Sequence, residues 1–233
     1  MEQRLNALGQ PIGASLPGWT ARALPPRTPI EGRHCHLAPL DGERHARDLF
    51  EANAADGDGR MWTYMSCGPF ATLEAYRRWT EDAAASPDPL FHAILELKTG
   101  RASGVAAYLR IDAPAGVIEI GHIALSPSLQ RTAAATEALY LMARRAFDEL
   151  GYRRLEWKCD ALNAASRAAA ERLGFLYEGC FRQATVYKER NRDTAWYAMI
   201  DRDWPGLRAR FERWLDPGNF DAEGRQRTRL AAV

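Results

Sequence analysis

The chain is predicted to fold as an α/β domain around one mixed, mostly antiparallel sheet, and three features of its 233 residues carry that expectation. Apolar runs of strand length alternate with amphipathic stretches of helix length in an irregular order, which neither a purely parallel nor an all-β fold produces. The run Val117-Ile118-Glu119-Ile120-Gly121-His122-Ile123-Ala124-Leu125 hands over to an amphipathic helix through Gln130-Arg131-Thr132-Ala133-Ala134-Ala135. Upstream of it, Thr99-Gly100 separates two apolar segments as a hairpin turn does.

Residues 1–32 form an arm holding Pro11, Pro17, Pro25, Pro26 and Pro29, too rich in proline for a regular element. Trp19 and Leu24 mark it as a belt packed on the domain. The domain proper, 33–203, opens with a strand at 33–39 and helices at 41–54 and 72–84. Between them, Asp56-Gly57-Asp58-Gly59 has half the ligands of a calcium loop and lacks the closing glutamate, so it reads as a turn. Strands follow at 90–98, 103–112 and 117–125. The next helix carries Leu139, Met142, Ala143, Ala146, Phe147 and Leu150 on one face and stops at Gly151. A strand at 154–159 precedes a short helix at 163–173, with Asn163 as N-cap and Gly174 as its end. Strands at 175–181 and 194–200 complete the sheet, joined by the polar connection 187–193, in which Asp193 reads as a turn residue. Residues 204–233 are a terminal helix and tail, and Leu207, Phe211, Trp214 and Leu215 give that helix an apolar face for its own sheet or for a second copy.

Composition excludes several classes of function. Lys+Arg 31 against Asp+Glu 30 leaves a net charge of +1, with no electrostatic drive toward nucleic acid or an anionic membrane. Cys35, Cys67, Cys159 and Cys180 stand far apart, without zinc spacing, and His34-Cys35-His36 reads as strand, so no metal is expected. The first residues lack a signal-peptide core and no apolar run is long enough to cross a membrane, so a cytoplasmic protein with reduced thiols is expected.

Small residues at a strand exit leave the first N–H groups of the following helix open along the positive end of its dipole, which is a seat for a diphosphate. No Lys-Ser/Thr pair follows the loop, which argues against a generic nucleotide site. Gln130, Ala135 and Thr136-Glu137-Ala138, together with Asn163-Ala164-Ala165-Ser166, Leu173-Gly174-Phe175 and Glu178-Gly179, stand in an order that resembles the GCN5-related N-acetyltransferases (GNAT), in particular the branch acting on ribosomal-protein amino termini. The resemblance covers roughly 33–203 and implies a GNAT fold, a mostly antiparallel central sheet flanked by helices on both faces. It implies acetyl-coenzyme A as cosubstrate, an amine acceptor as the other partner, direct attack in a ternary complex, and a monomer or homodimer.

Residue by residue, the resemblance places the diphosphate on Gln130, Arg131, Thr132, Ala133, Ala134, Ala135 and Thr136, the oxyanion donor near Ile123 and Ala124, the pantetheine arm against Asn163, and the acid for the leaving sulfur on Ser166. Ala133 replaces a glycine of the family loop, harmless if its dihedrals are helical and costly at positive φ. Arg131 reads either as a phosphate contact or as a solvated side chain. Asn163 and Ser166 also fit an ordinary helix start. Thr185 occupies the position of the branch's glutamate base and cannot accept a proton, so Glu119, a carboxylate within an apolar strand, is the candidate base, its alternative being a solvated strand face. His122 has the better intrinsic pKa but falls on the opposite face of a regular strand. Trp62, Tyr64, Phe70, Tyr76 and Trp79 lie where the family has its acceptor side, or in the core. Ala133 and Thr185 also motivate a second reading, a non-catalytic acyl-coenzyme A binder or sensor of the same fold.

Overall fold

Local signals and tertiary structure agree along most of the chain. The computed structural model describes residues 4–230. In chain order the elements are β1 (Arg4–Leu5), β2 (Pro11–Ile12), β3 (Ile30–Glu31), β4 (Cys35–Pro39), α1 (Gly42–Asn53), α2 (Leu73–Ala85), β5 (Leu90–Glu96), β6 (Ala102–Asp112), β7 (Val117–Leu125), α3 (Ala133–Arg144), β8 (Arg154–Asp160), α4 (Ala164–Leu173), β9 (Leu176–Tyr187), β10 (Arg190–Ile200) and α5 (Trp204–Trp214). Side-chain oxygens of Asp41, Thr72, Thr132 and Asn163 cap the N-termini of α1 to α4, each accepting a backbone N–H that the helix cannot satisfy itself. Gly174 ends α4 at φ 99°, where a side chain would also strike Leu207 and Arg210.

Eight strands form one sheet in the order β3-β4-β5-β6-β7-β8-β10-β9. Every neighbouring pair is antiparallel except β7 and β8, which run parallel because α3 crosses between them. Helices α3, α4 and α5 cover one face, burying Tyr108, Ile118 and Ile120 with Leu141, Met142, Leu173 and Phe211. On the other face α1, α2 and the segment between them bring Leu49, Tyr76 and Trp62 onto Phe91, Val105 and Ala107. Each large aliphatic or phenylalanine side chain among them contributes about 1.5–3 kcal/mol by leaving water.

Three local expectations need correction. Despite its prolines, the arm is not wholly irregular: β1 and β2 pair with each other, and β3 joins the sheet edge. Pro11 is compatible with this because it stands on an exposed two-residue strand, where no ladder donor is missed. The arm does bind the domain, through Trp19 Nε1 to Pro114 O (2.8 Å) and through Arg145, whose buried guanidinium donates to Thr28 O and Pro29 O (2.8 and 2.9 Å). Leu24, however, stays 67% exposed. The polar connection at 187–193 is a continuous hairpin, because Lys188 and Glu189 adopt positive φ (49° and 59°) and close a two-residue turn whose twist suits the strands. Asp193 therefore lies within β10, accepting from Gln183 N (2.7 Å) and Asn191 Nδ2 (3.0 Å). Of the two partners open to the terminal helix, its own core is the one used: Phe211, Trp214 and Leu215 are buried in the cluster under α3.

Glu137 has a role that its motif did not disclose. Buried in α3, its carboxylate accepts the N–H groups of Arg33, His34 and Cys35 at 2.9, 2.5 and 3.0 Å, fixing the turn into β4. Replacing it leaves three inward donors unpaired. Glu137→Ala is expected to lower unfolding free energy by about 2–4 kcal/mol in urea titration, with Glu137→Gln intermediate because it keeps one acceptor.

Candidate active site

Two parallel strands that separate make an opening in the sheet. β7 and β8 are paired only over Val117–Glu119 and Arg154–Glu156, after which each continues without the other, to Leu125 and Asp160. A bulge turns β7 at this point: Ala107 pairs with Gly121 and Val105 with Ala124, so His122 and Ile123 together oppose Ala106. His122 takes φ 49°, a costly value for a side-chain-bearing residue and one that concentrates at functional sites.

The bulge overturns one sequence expectation. A regular strand puts Glu119 and His122 on opposite faces, but the extra residue shifts the alternation, and His122 packs on Phe91 (5.2 Å between ring centroids) in the core under α1 and α2. Glu119, through its pairing with Leu109, lies on that same face. Burial first, then the charges of Arg110 and Arg192, hold the His122 imidazole below the usual histidine pKa, so it is neutral at pH 7.

Glu119 is buried and fully engaged. Its oxygens accept from Arg110 Nη1 (2.8 and 2.9 Å) and from Lys158 Nζ (2.9 Å). Lys158 also meets Glu156 (2.6 Å), Glu156 meets Arg154 (2.7 Å), and Arg154 meets Glu178 (2.5 Å), an alternating row of charges across four strands. Lys158 is capped by the Trp196 ring at 3.8 Å. The cost of placing a carboxylate in an apolar strand is thus offset by paired cations, which leave it no free oxygen.

At the exit of β7, Ser126 O accepts both Leu129 N and Gln130 N at 3.0 Å, and the Gln130 side chain returns to Leu125 O (2.9 Å), so Gln130 shapes the loop. Positive φ falls on exposed Arg131 (62°), while Ala133 is the first residue of α3 and helical. The alanine at the family's glycine position therefore carries no strain. Thr132 Oγ1 donates to Leu129 O (2.7 Å) and accepts Ala135 N (3.1 Å), and Thr136 N reaches Thr132 O (3.3 Å). Among the described residues no acceptor meets the N–H groups of Ala133 and Ala134, whose own side chains are methyl groups. Such a helix start suits an anion.

Across the gap, Asn163 Oδ1 accepts Ser166 N (3.0 Å), and Ser166 Oγ accepts Trp157 Nε1 (3.0 Å), which leaves the hydroxyl proton free to donate. It lies beside Cys159: burial raises that thiol's pKa and the Ser166 hydroxyl opposes the rise. Trp157 and Cys159 belong to the core under α3 and α4, so Ser166 and His122 approach the gap from opposite faces of the sheet. Thr185 is exposed on β9, paired with Arg192. Of the five aromatics, Trp62 and Tyr76 are core, whereas Tyr64 reaches over to Leu162 O (3.1 Å). Among the described residues no group of three His, Cys, Asp or Glu side chains is placed to hold a metal, and no helix is long and apolar enough to cross a membrane.

The acetyltransferase (GNAT) domain family matches residues 35–176. The chain belongs to the GNAT family. It is an acyltransferase of that family, whose members use acetyl-coenzyme A as cosubstrate. A GCN5-related N-acetyltransferase from Brucella melitensis superposes with a TM-score of 0.91 at 44% identity, covering 93% of this chain and 98% of that one. A probable GNAT acetyltransferase from Chromobacterium violaceum gives 0.78 at 42%, covering 84% and 98%. In sequence the chain is 28% identical over 177 residues, 73% of its length and 91% of the relative's, to the Bacillus subtilis protein named "Putative ribosomal N-acetyltransferase YdaF". The name of this last relative is consistent with the ribosomal-protein acetyltransferase branch that the motifs resemble. In this GNAT enzyme the row of charges ties together the strands that border the gap. Glu119→Ala is expected to cost about 1–3 kcal/mol in chemical denaturation, because it removes one of the two carboxylates that buried Lys158 holds and leaves it Glu156 alone.

Proposed function

We propose that this GNAT enzyme transfers the acetyl group of acetyl-coenzyme A to the primary amine of a small molecule or of a peptide amino terminus, by direct attack in a ternary complex. The observation that carries the reading is the opening between β7 and β8, which joins an open helix N-terminus and a free serine hydroxyl on one face to a neutral histidine on the other.

The residues present fit the cosubstrate. The N–H groups of Ala133 and Ala134 receive the diphosphate at the positive end of α3, with Arg131 and Thr132 beside them and Ala135 and Thr136 carrying the helix on. Asn163 keeps its side-chain NH2 for the pantetheine arm while its oxygen caps α4. The backbone N–H groups of Ile123 and Ala124, at the bulge of His122 and Ile123, supply the donor for the developing oxyanion.

The acceptor nitrogen bonds to the thioester carbon as the carbon–sulfur bond breaks. His122 takes the proton the amine gives up, since Glu119 has both oxygens committed to cations; Glu119 instead keeps Arg110 and Lys158 in place beside it. Ser166 donates to the departing sulfur, a modest gain because a thiol of pKa about 8.5 already leaves well. An amine of pKa near 8, such as an α-amine, suits a neutral imidazole better than a lysine near 10.4 does, by about two pKa units.

Incubation with acetyl-coenzyme A and a panel of amines and peptide amino termini should release free thiol with at least one acceptor; binding without any acetylated product would favour the sensor reading. Ala134→Pro, which removes one of the open donors, should weaken coenzyme A binding about tenfold in calorimetry. The kcat/KM profile should fall on the acid side with an inflection below the ordinary histidine value of 6.5, since the neutral ring is the acceptor and its pKa is lowered. In His122→Gln that limb should vanish and the rate drop about 100-fold, while Ser166→Ala should lose about tenfold at unchanged KM.

A further inference from the structure

On the reading that this enzyme acetylates an amine, we propose that its acceptor also carries a carboxylate, which Arg192 receives at the head of the gap between β7 and β8. Three other cations of this sheet face have a carboxylate of their own: Arg110 has Glu119, Lys158 has Glu119 and Glu156, and Arg154 has Glu156 and Glu178. Arg192 does not. It stands two residues before Thr194, which pairs with Asp160 at the end of β8, and the alternation of β10 puts it on the face of Thr194, Trp196 and Lys158. Its Nε donates to Thr194 Oγ1 (3.1 Å) and its guanidinium carbon lies 5.9 Å from the centre of the Tyr187 ring, which orients the group. Among the described residues neither of its terminal nitrogens has a hydrogen-bond or ion-pair partner, although the side chain is half-buried.

Two acids of the adjoining strand residues accept from other donors. Asp160 accepts from the Tyr187 hydroxyl (2.8 Å) and Leu162 N (2.9 Å), and Asp193 from Gln183 N and Asn191 Nδ2. A guanidinium drawn partly out of water with its two-pronged end unpaired is a receptor for a planar, two-oxygen anion. Its field reaches both His122 and Cys159, on the two sides of the gap. Two further cations stand at the same mouth, Lys188 donating to Trp62 O (2.8 Å) and Arg190 to Thr63 O (2.6 Å), each held by a carbonyl and neither by a carboxylate. They make the rim positive and favour the arrival of an anion. Fixing the carboxylate on Arg192 turns the amine of the same molecule toward His122. The substrate class is a small amino-carboxylate, of which a free amino acid is the simplest.

The test compares acceptors that share an amine and differ in the carboxylate, amino acids against their amides, by thiol release from the wild-type enzyme, Arg192→Gln and Arg192→Lys. The wild type should favour the acid by about tenfold or more in kcat/KM, Arg192→Gln should bring acid and amide within about twofold of each other with the KM for acetyl-coenzyme A unchanged, and Arg192→Lys should keep part of the preference. A wild-type enzyme that uses amides or peptide amino termini as well as amino acids overturns the carboxylate while leaving acetyl transfer in place. So does an Arg192→Gln enzyme whose loss is equal for both acceptors and appears in the KM for acetyl-coenzyme A. Absence of thiol release with every acceptor overturns both readings.

Discussion

The parting of β7 and β8 is the constraint on which the molecule depends. A parallel pair cannot be closed by a tight turn, so α3 must cross between the strands, and its N-terminus is thereby delivered to the place where they diverge. Three residue pairs hold the strands together at one end. Beyond them, among the described residues, no strand pairing joins the two halves of the sheet, and the gap opens from the α3 and α4 face to the α1 and α2 face. The bulge at His122 and Ile123 is part of the same arrangement: it bends β7 at the point of divergence and turns an imidazole inward.

An opening of this kind weakens a sheet, and the surrounding bonds compensate. The row from Arg110 to Glu178 ties β6, β7, β8 and β9 together just below the gap. Above it, Lys188, Arg190 and Tyr64 tie the β9–β10 hairpin and the β8–α4 connection to the segment before α2. Glu137 and Arg145 do the same for the other side, binding α3 to the start of β4 and to the arm. Charged residues thus brace the frame around the gap, and the neutral groups, His122 and Ser166, stand there without an ion-pair partner among the described residues.

Most of this architecture was legible in the linear chain because its signals are local. The cap at Asn163, the stops at Gly151 and Gly174, the apolar faces of the helices and the strand before the loop all depend on neighbours within a few residues. The two motif blocks located the helix start and the serine for the same reason. What escaped were properties that arise between segments distant in sequence. Glu119 looked like a base because its partners Arg110 and Lys158 lie on other strands, and His122 seemed to face away because a bulge is defined only against the strand beside it.

From the order of residues alone came the α/β class, the succession of elements, the family and the loop proposed for the cosubstrate, all set by periodicity, capping and turn chemistry acting over short stretches. Tertiary structure decided which titratable groups are free and which are spent, since that depends on who stands across the sheet. It committed Glu119 to cations, turned His122 to the same face as Glu119, and left Arg192 with an open fork. A side chain's proton affinity and availability are properties of its surroundings, and those are assembled only when the strands come together.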